Sequence, residues 1–377
     1  MKKVIITGGA GFIGSHLVDR LIQKGYKVTV FDILEAQVHG NTNKPPDYLD
    51  PRATFIHGSV TDYEHFYEVI KGQEVIYHLA AMVGVGQSMY QIEKYLTHNV
   101  QGTANLLDIL VNKEHDIEKV IVGSSNTVYG EGKAYCEECG VIYPDLRGEE
   151  QLKNKEWELH CPNCHGTIEP LPTDEKKPFN SSSIYALSKQ MQEESAQMIG
   201  KTYGINTTIL RFFLVYGPRQ SLSNPYTGVC GIFSNRLFSG KPPLVFEDGL
   251  QTRDFVNVKD VCQALELAMV KKESEGEIYN VASGYPITIK EVAEIITNKI
   301  NPKLQPVYNQ QYRVGDIRHC QADISKIQDE LGYRPQFRFK EGIEQFIEWI
   351  KPQATQLQKD DASQKALNEL KDKGLIK

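Results

Sequence analysis

Three glycines spaced three apart, Gly8, Gly11 and Gly14, lie between the apolar run Val4-Ile5-Ile6 and a stripe formed by Ile13, Leu17, Leu21 and Ile22. The run reads as a buried strand, and the stripe has helical spacing. A strand, a glycine turn and a helix in that order constrain the fold more than any other feature of the chain. Glycine lets the backbone turn tightly and approach a ligand closely. The helix start offers unpaired N–H groups and the positive end of its dipole. The ligand expected there is a pyrophosphate, cradled by Gly8, Gly11, Phe12, Ile13 and Gly14. Asp32 ends the next predicted strand, Val28-Thr29-Val30-Phe31, where its carboxylate would accept hydrogen bonds from ribose hydroxyls. The same charge repels a 2′-phosphate, so the expected cofactor is NAD rather than NADP.

The alternation continues. Thr54-Phe55-Ile56, Val75-Ile76-Tyr77 and Val120-Ile121-Val122 read as strands, and residues 205–215 add a later one. Strands separated by helices imply right-handed crossovers and a doubly wound parallel sheet, an α/β fold of Rossmann type. The expected NAD-binding domain spans 1–215. A smaller substrate-binding domain spans 216–350, where prolines and glycines break the pattern, with the chain returning to the first domain near 255–270. Residues 351–377 read as a charged tail with one amphipathic helix bearing Leu367, Leu370 and Leu375. Ser59 and Val60 follow the third strand beside the expected cofactor. Asp62 suits either the adenine edge or a helix N-cap.

Charge narrows the partners. Lys plus Arg is 42 and Asp plus Glu is 48, a net charge of −6 without a long basic run. That argues against nonspecific nucleic-acid binding. No apolar stretch reaches the roughly 18 residues of a membrane span. The N-terminal apolar run is broken by glycines and followed by Asp19 and Arg20, unlike a leader peptide. The expected location is cytoplasmic.

Tyr185-Ala186-Leu187-Ser188-Lys189 puts a phenol and an ammonium one helical turn apart on one face. Asn180-Ser181-Ser182-Ser183 supplies capping candidates just upstream, so Tyr185 should sit near a helix start. The dipole, Lys189 and a positive nicotinamide would then lower its pKa from about 10. Alone, this spacing is common on solvated helix faces.

In company it carries more. The glycine turn, His78-Leu79-Ala80-Ala81, Asn99-Val100-Gln101-Gly102-Thr103, Ser124-Ser125-Asn126-Thr127-Val128-Tyr129-Gly130 and Tyr185/Lys189 occur in order. Tyr216-Gly217-Pro218-Arg219, Arg253-Asp254-Phe255-Val256 and Arg313-Val314-Gly315-Asp316 follow. Over residues 1 to about 350 the chain resembles the extended short-chain dehydrogenase/reductase family, in its nucleotide-sugar epimerase branch. The resemblance implies catalysis by Ser125, Tyr185 and Lys189. It implies Leu79, Ala80, Ala81, Asn99 and Ser124 at the cofactor, shared with Tyr185 and Lys189. It implies Ser88, Arg219, Arg253, Arg313 and Asp316 at a nucleotide-diphosphate sugar, and a homodimer paired through helices near 90–113 and 185–203. The implied reaction is NAD-dependent 4-epimerisation through a transient 4-keto sugar. A decarboxylase, a reductase or a silent NAD-binding scaffold are the rival readings.

Two departures from the family stand out. Its dehydratases carry an Asp-Glu acid/base pair where this chain has Asn126 and Thr127, which cannot eliminate water. Many members have Asn where this chain has Leu214, so another group, within residues 220–224, should take over a phosphate contact.

Residues 131–180 read as an insert. Cys136, Cys139, Cys161 and Cys164 form two C-x₂-C pairs with 21 residues between them. Four thiolates on two tight turns suit a closed, structural Zn²⁺ site, with His160 as a substitute ligand. Cys230, Cys262 and Cys320 read as small buried residues. The insert, residues 220–228 and residues 369–375 together resemble one subgroup, the dTDP-L-rhamnose 4-epimerase-like proteins.

Overall fold

Seven short strands pair in parallel into one sheet: β1 Lys3–Thr7, β2 Lys27–Asp32, β3 Thr54–His57, β4 Val75–His78, β5 Lys119–Ser125, β6 Asn206–Phe212 and β7 Ile278–Val281. Their order is β7-β6-β5-β4-β1-β2-β3. The computed structural model describes residues 2–221, 228–353 and 362–377. Helices cover both faces, so the central strands are apolar throughout; Val4, Ile5 and Ile6 are all fully buried. The order reverses between β1 and β4. A crevice opens there at the carboxyl ends of the strands, where Thr7, Asp32, His78 and Ser125 lie.

The structure departs from the sequence expectation beyond β5. The apolar run 205–215 is two strands. Asn206–Phe212 belongs to the large sheet, and the Phe213 N–H still donates to Val281 O at 3.0 Å. Leu214–Tyr216 then pairs in parallel with Thr252–Asn257 in a second sheet. Both halves are apolar, so no change of period marks the break. The return to the large sheet also runs further than 255–270. Helix Val258–Val270 buries Val258, Val261, Ala264, Leu265 and Ala268 in the core shared with Leu17, and β7 follows it.

A separate core holds the second lobe. Phe233, Val245, Phe255, Val292, Ile296, Phe339, Ile343 and Phe346 pack between helices Val229–Phe238, Ile289–Ile300 and Phe339–Ile350. Within the insert, Gly140–Ile142, Ala134–Cys136 and Glu169–Pro170 form a small antiparallel sheet. The tail helix Ala362–Asp372 is not a free appendage. Beyond it, Tyr312 and Lys377 exchange backbone hydrogen bonds of 3.0 Å in each direction. On the long helix Ile184–Tyr203, Met191, Met198 and Tyr203 are exposed, alongside helix Gly102–Asn112. Among the described residues no helix is long and apolar enough to cross a membrane.

Candidate active site

A cavity of about 720 Å³ runs from the glycine turn to the second lobe. Gly8, Gly11, Phe12, Ile13, Gly14, Asp32, Ser59, Val60, Leu79, Ala80 and Ala81 line one end. Gly8 has φ +70°, and a Cβ there would stand 2.9 Å from the Ala80 backbone. A Cβ on Gly14 would stand 2.4 Å from Gly8 O. Side chains would fill this cradle. Helix Phe12–Gln23 has no side-chain cap at Gly11, so its first N–H groups remain available to an anion. The Asp32 carboxylate accepts from Ala10 N at 3.0 Å and Leu34 N at 2.8 Å. Burial raises its pKa, and those two N–H groups oppose the rise. The residues present fit a dinucleotide.

Ser124, Ser125, Tyr185 and Lys189 line the middle of the same cavity. Ser183 caps helix Ile184–Tyr203 by accepting from Ala186 N at 3.1 Å, which sets Tyr185 in the first turn. The Tyr185 phenol pairs with the Ser125 side chain. Desolvation raises the phenol above its usual pKa, and the Ser125 hydrogen bond only partly offsets this. That differs from the sequence expectation of a depressed value. The helix start and Lys189 do not by themselves outweigh desolvation. Lys189 is itself buried, which pulls its pKa down to about 7 and weakens the charge it can offer; its ammonium donates to Gly123 O at 2.8 Å. Thr127 Oγ1 donates to Ser125 Oγ at 3.0 Å, and Asn126 Nδ2 donates to Cys320 Sγ at 3.5 Å.

Three expected contacts lie outside the cavity wall. Asn99, in the π-helical turn Leu96–Gln101, accepts from Met82 N at 2.7 Å and donates to Ser188 Oγ at 2.9 Å. It clamps the wall to helix Ile184–Tyr203 from behind. Ser88 Oγ accepts from Tyr185 N at 3.0 Å, so its hydroxyl is spent on that helix. Arg219 pairs with Asp19 at 2.8 Å over the Tyr48 ring. Asp62 is a helix N-cap, accepting from His65 N at 3.2 Å. His78 is structural: it bridges Thr7 and Thr103, and burial drops its pKa to about 3.

At the far end Arg253, Arg313 and Asp316 line the cavity together. Arg253 and Arg313 lie 3.6 Å and 3.2 Å from the Asp316 carboxylate. Burial opposes ionisation of Asp316, but Arg313 and Arg253 hold its pKa below the usual range. Leu214 and the buried Gln220 also line this cavity; residues 222–224 lie outside the described residues.

Two features here had no motif to announce them. The first is a buried charge cluster. Arg147 of the insert makes two hydrogen bonds to Glu247, at 2.8 and 3.0 Å, and donates to Asp316 O. Arg318 reaches Glu247, Asp248 and Glu158. The buried Glu131 accepts the backbone N–H groups of Arg318 and His319. The cluster ties insert to second lobe directly behind Arg253. The second is the C-terminal segment, which supplies Leu367, Leu370, Leu375 and Ile376 to the cavity.

In the insert, the sulfurs of Cys136, Cys139, Cys161 and Cys164 lie within 4.8 Å of one another, with Cys136 and Cys164 at 3.5 Å. That spacing suits a tetrahedral zinc with Zn–S bonds of about 2.3 Å. The cluster does not include His160, which bridges to Thr167.

Comparison with known proteins agrees with this geometry. Residues 4–145 match the NAD dependent epimerase/dehydratase family, and residues 162–346 match GDP-mannose 4,6 dehydratase. A dTDP-L-rhamnose 4-epimerase of Burkholderia thailandensis is 33% identical over 93% of this chain and 95% of its own. The UDP-N-acetylglucosamine 4-epimerase of Methanobrevibacter ruminantium M1, solved with UDP-N-acetylmuramic acid, superposes with a TM-score of 0.75 at 30% identity, over 93% of this chain and 99% of that one. The UDP-glucuronic acid 4-epimerase of Bacillus cereus, solved with UDP-glucuronic acid and NAD, gives 0.74 at 25% identity, with the same coverage.

Proposed function

Because the chain belongs to the NAD dependent epimerase/dehydratase family, we propose that it is a nucleotide-sugar 4-epimerase acting on dTDP-L-rhamnose or a close analogue. One observation carries the reading: Ser125, Tyr185 and Lys189 share a single cavity with the glycine cradle and the Arg253/Arg313 pair. Asn126 and Thr127 offer no acid/base pair, which weighs against dehydration. The likeness to the Burkholderia enzyme supports the substrate.

Tyr185 takes the proton of the sugar 4-hydroxyl, and Ser125 holds the same oxygen. Bound NAD supplies the acceptor, and later the donor, of the carbon-4 hydride. Lys189 and the positive nicotinamide of bound NAD would together lower the Tyr185 pKa toward the phenolate that takes this proton. Arg253 and Arg313 grip the diphosphate, since guanidinium matches phosphate bidentately, and the tethered keto sugar can turn over between them. Tyr185 then returns the proton to the opposite epimer. Screening nucleotide sugars for a carbon-4 epimer tests this. Released CO₂ or net NADH turnover would replace it with a decarboxylase or a reductase.

The buried Asp32 carboxylate leaves no welcome for a 2′-phosphate. Protein denatured after purification should therefore release NAD(H). Recovery of mainly NADP(H) would remove Asp32 from the ribose site.

The four cysteines bind one structural zinc per chain in this reading, with no open position for substrate. Cys161→Ser should lower the metal content and make residues 131–180 more sensitive to protease, while the cofactor stays bound. Metal-free protein prepared without chelator would contradict the site, and full metal content in the variant would contradict the ligand set.

A further inference from the structure

The last residues of the chain reach the cavity from outside both lobes. Ala366, Leu370 and Ile376 are buried, and with Leu367 and Leu375 they line it. Contacts on two sides locate them between the Ser88 helix and the Arg313 turn. Leu370 lies over Gly86, where a Cβ would stand 3.0 Å from Leu370 Cδ2. Gly86 belongs to the short helix Val85–Ser88, whose Ser88 holds the Tyr185 backbone. On the other side, Val314 N donates to Leu375 O at 3.0 Å, and Arg313 bridges to Ile376. The neighbouring Gly315 faces Ser182 O, just before Tyr185. Lys377 Nζ also reaches Glu149 of the insert at 2.5 Å. The segment is thus strapped between the helix that holds the Tyr185 backbone and the Arg313–Gly315 turn.

The surface it presents is chemically narrow. Ala366, Leu367, Leu370, Leu375 and Ile376 are all apolar, and Met82, Val83 and Val85 line the same cavity from the Gly86 side. The cations Arg313 and Lys94, which line the same cavity, are engaged by Asp316 and Glu35.

We propose that residues 366–377 form the sugar-recognition wall of the site and select nucleotide sugars that carry a methyl group over those with a hydroxymethyl or carboxylate. This rests on the nucleotide-sugar reading above. A methyl group gains by burial against leucine and isoleucine. A hydroxyl or carboxylate facing them gives up water without finding a partner.

The test is calorimetric, on the full chain with its cofactor bound. The probes are a nucleoside diphosphate alone, its 6-deoxyhexose conjugate and its glucose conjugate, in both dTDP and UDP series. The 6-deoxy sugar should bind at least about ten-fold tighter than its hydroxymethyl counterpart. Leu370→Ala and Leu367→Ala should erase that margin and leave the affinity for the bare diphosphate within about two-fold. Retained cofactor reports that the fold survives; if one variant loses it, the other decides. An unchanged margin in the variants that keep their cofactor, or a wild type that prefers the hydroxymethyl sugar, overturns the wall. A wild type that gains nothing from any sugar over its bare diphosphate overturns the functional reading itself, and the wall with it.

Discussion

Tyr185→Phe should lower turnover at least about 10²-fold, the scale of general acid–base catalysis, while the protein keeps its NAD. The substitution removes one hydroxyl, the group paired with Ser125. It leaves the ring that meets Tyr95 edge-on at 6.4 Å, and leaves the Tyr185 N–H on Ser88. The loss should therefore appear in kcat, with nucleotide-sugar affinity little changed. Near-normal turnover would mean that another group moves the proton.

The second large effect lies behind the site. Glu193 is fully buried and Arg211 is 2% exposed. Arg211 Nε donates to both Glu193 oxygens at 3.1 Å, its Nη1 donates to Tyr129 at 2.8 Å, and Ser124 Oγ donates to Glu193 at 3.0 Å. Glu193→Ala strands the guanidinium beneath the cofactor wall. The expected cost is about 3–5 kcal/mol, because the unpaired charge keeps its desolvation penalty without its partner. Denaturant unfolding measures it. Replacing both, Arg211→Met with Glu193→Leu, should recover most of the loss. A single variant as stable as the wild type would show that the ion pair contributes little.

What could be read in the chain followed a physical division. The glycine turn, Asp32 and the Tyr185/Lys189 pair each act through local geometry, so spacing within each makes it legible, and the parallel sheet brings them to one cavity. The central strands carry their own apolar runs. The Leu214–Tyr216 strand was hidden because 205–215 is apolar on both sides of the break. Ser88 and Asn99 came from a family pattern, which does not say whether a polar group faces the ligand or braces the wall. Here each is spent on the helix that carries Tyr185. The Arg147–Glu247–Arg318 cluster joins residues 71 to 171 positions apart, each an ordinary charge in the sequence. The tail leucines looked like one face of an isolated amphipathic helix. Only the backbone pairing with residues 312–314 turns that face into the cavity.

The proposed reaction moves one hydride off carbon 4 and returns it on the opposite face. Substrate deuterated at carbon 4 of a nucleotide 6-deoxyhexose, incubated with the purified protein and no added oxidant, tests this most directly by NMR. An equilibrium mixture of carbon-4 epimers is expected, with deuterium retained at carbon 4 in both. Deuterium lost to solvent, or recovered in free NADH beside an unreturned keto sugar, would contradict it.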